Sequence, residues 1–86
     1  MRIKLTTSFE KKAKKYIKKN PQLDKAIRKQ LKILVIDDKH PSLRLHKLEG
    51  KRSNQYAIWI KGDLRAIAVK KGDNYIFHNL ITHDEY

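Results

Sequence analysis

The stretch "YAIWIKGDLRAIAVKKGDNYIFHNLI", residues 56 to 81, decides the fold. Tyr56, Ile58 and Ile60 alternate with Ala57, Trp59 and Lys61, which is the two-residue period of a strand rather than the 3.6-residue period of a helix. "LRAIAV" (64–69) and "YIFHNLI" (75–81) continue in the same manner. The breaks between them are short. "KGD" at 61–63 and "KKGDN" at 70–74 suit tight hairpin connections, so residues 55 to 81 read as a three-stranded antiparallel meander.

Upstream of it the periodicity is helical. In "TTSFEKKAKKYIKKN", Thr7 and Glu10 have the spacing of a capping box, and Phe9, Ala13, Tyr16 and Ile17 recur on one face. Lys11, Lys12, Lys14, Lys15, Lys18 and Lys19 fall mostly on the other. Asn20 and Pro21 end this helix and begin the next, because proline is disfavoured inside a helix but fits its first position after an Asn cap. Leu23, Ala26, Ile27, Leu31, Leu34 and Val35 carry the pattern to about Ile36, and the loop "DDKHPS" follows. Before the first helix, "RIKL" (2–5) alternates like a short strand. The order β-α-α-β-β-β predicts an α+β fold: an N-terminal strand and a helical hairpin packed on an antiparallel sheet whose other face is left concave or open.

Eighty-six residues make one domain, 1–86, with one modest core. Without cysteine there is neither a disulfide framework nor a thiolate metal site. "MRIKLTTSFEKK" lacks the apolar run of a signal peptide, and no segment approaches the roughly 20 apolar residues that span a bilayer, so a cytoplasmic protein with no membrane partner is expected. Twenty-one Lys and Arg against nine Asp and Glu give a formal net charge of +12. Such a surface favours a polyanion, nucleic acid first; a merely solvated lysine-rich surface is the alternative.

The four histidines, His40, His46, His78 and His83, have no metal-ligand spacing with carboxylates, and there is no Gly-rich phosphate loop, so neither metal nor cofactor is expected. What the second half does hold is His46, Lys47, Lys61, Arg65, His83 and Tyr86. Metal-free RNA cleavage needs those types: a base to deprotonate a ribose 2′-hydroxyl, an acid for the leaving 5′-oxygen, and cations for the phosphorane charge. Histidine suits the proton transfers, and an aromatic ring can stack on an unpaired base.

The element order, "HKLEG" (46–50), "YAIWIKGDLRAIAV" (56–69) and the terminal "ITHDEY" together resemble the RelE/ParE superfamily of toxins from type II toxin–antitoxin systems. The resemblance covers nearly the whole chain, and its motifs are closest to the RelE and YafQ-like mRNA interferases. It implies a ribosome-dependent endoribonuclease that cleaves mRNA by metal-free 2′-OH attack and so inhibits translation. It also implies a cognate antitoxin in a higher-order hetero-oligomer, with the ribosome and mRNA as targets. The ParE branch, which poisons gyrase, or a toxin-like binding domain without catalysis, is the rival reading.

Carried onto this sequence, the resemblance makes His83 the general acid and Tyr86 an aromatic that contacts mRNA. It makes His46 a second catalytic histidine, Arg65 a phosphate-binding arginine and Asp63 a site carboxylate. The base stays open between His46 and Lys47, with Lys61 joining Arg65 as the phosphate clamp. This chain departs from the pattern at Ala57 and Trp59, where RelE-type members place lysines; YafQ-type members place a histidine where Trp59 stands. Trp59 could stack on a base or be covered by a partner. Each residue also has a plainer role available: His83 as a polar residue at a frayed end, His46 as an exposed strand residue, Arg65 as the ion-pair partner of Asp63 or Asp84, Asp63 as a turn residue.

Overall fold

The computed structural model describes residues 2–48 and 54–82. Its elements run β1 (Arg2–Leu5), α1 (Thr7–Lys19), α2 (Gln22–Ile36), a 3₁₀ turn (Pro41–Leu43), β2 (His46–Lys47), β3 (Gln55–Lys61), β4 (Leu64–Lys71) and β5 (Asn74–Thr82). The sheet has five strands in the order β1-β5-β4-β3-β2. β3, β4 and β5 are the antiparallel meander of the sequence reading. Gly62 and Gly72 both sit at φ +58, the left-handed region that glycine enters without a side-chain penalty, and so each opens a two-residue turn.

Two strands extend the meander. β1 adds parallel to β5, with Ile3 opposite Tyr75 and Leu5 opposite Phe77. β2 adds antiparallel to β3, with His46 opposite Ala57 and Lys47 opposite Tyr56. A two-residue strand has no period of its own; it exists because the outer edge of β3 offers backbone partners.

α1 begins one residue earlier in its capping than expected. Thr6, not Thr7, is the N-cap: its hydroxyl accepts from the Phe9 amide at 3.1 Å, which puts Phe9 rather than Glu10 at the third helical position and leaves no capping box. At the start of α2 the Asn20 Oδ1 accepts from the Gln22 amide at 3.2 Å across Pro21. α1 and α2 cover one face of the sheet, where Phe9, Leu23, Ile27, Leu31 and Leu34 meet Ile58, Ile60, Ala66, Ala68, Tyr75, Phe77 and Leu80. Phe9 and Phe77 pack with ring centroids 5.7 Å apart. Val35, expected in the core, is 40% exposed beside Ile36 at 75%.

The opposite face is less open than its alternation suggests. Leu48, Ala57, Ile67 and Ile81 form a second, smaller buried cluster there. A register shift lies between Ile67 and Ala68, where Asn79 and Phe77 are the successive partners and His78 is the extra residue of a bulge. His78 Nε2 contacts Gln55 Oε1 at 3.2 Å. His40 caps the 3₁₀ turn, its Nδ1 accepting from the Ser42 amide at 3.1 Å.

Candidate active site

Directly opposed residues of neighbouring strands share a face of the sheet. Trp59 stands opposite Arg65, and Arg65 opposite Ile81. The next row is His46, Ala57, Ile67 and Asn79. Ala57, Ile67 and Ile81 belong to the cluster away from the helices, so His46, Trp59 and Arg65 lie together on that face, with His46 diagonal to Trp59. Diagonal neighbours are about 7–8 Å apart at Cα, within reach of long side chains.

The side chains are individually held. His46 Nδ1 lies 3.0 Å from the carbonyl of Arg44. A carbonyl can only accept, so in the neutral ring Nδ1 carries the proton and Nε2 the lone pair. Trp59 Nε1 donates to the carbonyl of Gly62 at 2.8 Å, and Arg65 Nη1 donates to the same carbonyl at 3.1 Å and to that of Leu64 at 3.2 Å. The Gly62 turn thus ties indole and guanidinium together. Arg65 keeps the three donors of Nε and Nη2 for another acceptor. Its partners are carbonyls, not the Asp63 carboxylate that a plain ion pair would require.

Two residues join this group that the sequence reading passed over. Arg44 sits at φ +48, ψ +38, left-handed, and its guanidinium carbon lies 4.9 Å from the centroid of the Trp59 ring. Gln30, on α2, is 2% exposed, and its Nε2 donates to the carbonyls of Ser42 at 3.1 Å and Trp59 at 2.9 Å. One buried amide therefore holds, from beneath, both the turn that launches Arg44 and the strand that carries Trp59. The signal for Gln30 was present: it occupies the apolar stripe between Ile27 and Leu34.

The remaining candidates are dispersed. Lys47 opposes Tyr56, which packs against the main core, so it belongs to the helix-side face. Lys61 lies beyond a register shift after Trp59, and its Nζ donates to Gln22 Oε1 at 3.1 Å, at the start of α2. Asp63 is an exposed residue of the hairpin turn. His83, Tyr86 and Asp84 lie outside the described residues. On the helix-side face, Lys70 Nζ lies 5.9 Å and 5.5 Å from the ring centroids of Tyr56 and Tyr75. Burial pushes the Tyr75 phenol above its ordinary pKa, although Lys70 pulls the other way. Among the described residues no three of His, Asp and Glu gather to hold a metal ion, and no helix is long and apolar enough to cross a membrane.

No protein-family model and no curated protein matches the sequence. Solved structures do. A copper-bound mutant toxin from Helicobacter pylori superposes with a TM-score of 0.81, at 24% identity over 99% of this chain and 97% of that one. The chain carries the RelE-like toxin fold. YafQ from E. coli, in its complex with DinJ, gives a TM-score of 0.77 at 16% identity over 99% and 97% of the two chains. A YoeB/ParE toxin from Agrobacterium tumefaciens gives 0.75 at 11% over 96% and 99%. All three are under 25% identical and share the fold, so the choice of chemistry rests on the side chains.

Proposed function

We propose that this protein is the toxin of a toxin–antitoxin pair and an endoribonuclease that cleaves mRNA on the ribosome without a metal. The observation that carries the reading is the gathering of His46, Trp59 and Arg65, from three different strands, on the sheet face away from the helices. The group combines a proton acceptor, an aromatic platform and a fixed cation, which are the parts that attack by a 2′-hydroxyl requires.

In this mechanism His46 Nε2 takes the proton of the 2′-hydroxyl as its oxygen bonds to phosphorus. The remaining donors of Arg65 balance the charge of the phosphorane. His83, whose place in the chain follows β5, protonates the 5′-oxygen as the P–O bond breaks, leaving a 2′,3′-cyclic phosphate and a 5′-hydroxyl. Tyr86 binds the message. Lys47 and Lys61, on other parts of the surface, serve as long-range cations and not as a clamp on the scissile phosphate.

The antitoxin has a separate seat. A concavity of about 720 Å³ lies away from this chemistry, between the helices and β1; Leu5, Ala13, Ile17, Val35 and Ile36 line it, and its charged lining residues are of both signs, Lys14, Arg28 and Lys32 with Glu10 and Asp24. An apolar floor with charges of both signs among its lining residues suits an amphipathic segment, in keeping with the toxin–antitoxin complex among the similar structures.

The test is single-turnover cleavage of mRNA on programmed ribosomes by wild type, His46→Ala and His83→Ala, beside a gyrase supercoiling assay. Each substitution should slow cleavage by roughly 10²- to 10⁴-fold, the usual contribution of one proton-transfer group, while circular dichroism stays native. Full cleavage by both folded variants removes the histidine mechanism; gyrase inhibition without cleavage replaces the nuclease reading by the ParE-like one.

A further inference from the structure

Among the described residues Arg44 is the one non-glycine at positive φ. An arginine in the left-handed region costs free energy that its surroundings must make good, and such residues concentrate at functional positions. Here the surroundings are specific. The Arg44 amide is bonded to the carbonyl of Pro41 at 3.2 Å, its own carbonyl receives His46, and the preceding turn is held by Gln30. The strained residue delivers its guanidinium onto the indole of Trp59, a half-exposed ring whose Nε1 is already anchored to Gly62.

We propose that Arg44, Trp59 and Arg65 form a single-nucleotide subsite for unpaired RNA, in which a base stacks on the indole face that Arg44 now covers. A guanidinium over a half-exposed ring is a weak contact, whereas a nucleobase on an aromatic ring is a strong one, so the base takes the face and Arg44 turns to the adjoining phosphate. Arg65, fixed beside the indole by the shared Gly62 carbonyl, takes the phosphate on the other side of the nucleotide. Every base has a stacking face, so the subsite grips any nucleotide and orients the chain across His46 instead of reading sequence. The subsite deepens the nuclease reading and rests on it for the identity of its substrate.

Trp59 is the only tryptophan of the chain, and its emission reports the subsite directly. The probe is an adenosine hexaribonucleotide, followed by tryptophan emission and, with a 5′ label, by anisotropy across a salt series. Saturating hexanucleotide should quench the Trp59 emission, while polyphosphate, which has charge but no base, should not. Trp59→Leu should weaken binding about 5- to 150-fold, the range spanned by one base stacked on one aromatic side chain. Arg44→Ala and Arg65→Gln should each lower the slope of log affinity against log salt by about 0.7, the value of one single-strand phosphate contact. An Arg44→Ala protein that binds, quenches and responds to salt as wild type does would overturn the proposal, as would equal quenching by polyphosphate. Cleavage assays separate the two readings: binding with quench but no cleavage of mRNA keeps the subsite and removes the nuclease, whereas cleavage that proceeds with unaltered binding in all three variants does the reverse.

Discussion

Replacing Gln30 by methionine keeps the length and bulk of a buried side chain and removes its two donated hydrogen bonds, at 3.1 Å to Ser42 and 2.9 Å to Trp59. A neutral hydrogen bond contributes about 0.5–1.5 kcal/mol net, and a buried acceptor left without its donor costs about 1–3 kcal/mol. The thioether recovers part of this through burial, so Gln30→Met should lose about 2–3 kcal/mol. For a domain of this size each kcal/mol moves Tm by roughly 4–8 °C, so Tm should fall by roughly 8–24 °C. With a urea m-value near 1 kcal/mol/M, the midpoint should drop by about 2–3 M. Total stability of about 0.05–0.15 kcal/mol per residue, roughly 4–13 kcal/mol for this chain, leaves the variant folded at 25 °C. Urea titration followed by circular dichroism and by Trp59 emission checks both numbers. A Tm within about 4 °C of wild type, at unchanged m, would refute the reasoning that Gln30 braces the Arg44 turn and the Trp59 strand together.

Thr6→Ala should cost about 1 kcal/mol through the lost cap on α1, and Thr7→Ala, which removes no cap, only a few tenths; equal losses in urea titrations would put the cap elsewhere. Tyr75 supplies a pH test. Its phenol is held above the ordinary value of 10.0, chiefly by burial, so the native state keeps a proton that the unfolded chain gives up. That contribution is fully present below about pH 10 and is lost as pH rises through the raised value. Tyr75→Phe should therefore flatten the alkaline fall in stability, and equally steep falls in both proteins would assign it to other groups.

The meander and the helical hairpin were legible because their residues alternate or recur for whole elements, and hydrophobic burial enforces those periods. The exceptions share a cause: each depends on a neighbour remote in sequence. β2 has two residues and is defined by the free edge of β3. The direction of Lys61 was misjudged because a register shift after Trp59 separates it from the strand's alternation. Thr6 and Thr7 are chemically equivalent caps, and only the position of Phe9 under the sheet chooses between them. At the site, His46, Trp59 and Arg65 were named from residue type and spacing and do share a face. Arg44 was not found, because nothing in "PSLRL" marks a left-handed backbone; Gln30 could have been, as a polar residue on an apolar stripe.

The parallel pairing of β1 with β5 sets an order of events. The Thr6 amide bonds to the carbonyl of Phe77, and Phe9 packs on the same residue, so β1 and α1 are completed by a segment far along the chain. Contacts so distant along the chain form late, after the loop between them has closed. Until β5 has been made, β1 has no partner strand, α1 has no floor, and the face carrying His46, Trp59 and Arg65 lacks Ile81. A chain broken off before Asn74 therefore cannot close its sheet, and the face proposed to attack a message stays unassembled until β5 has been made.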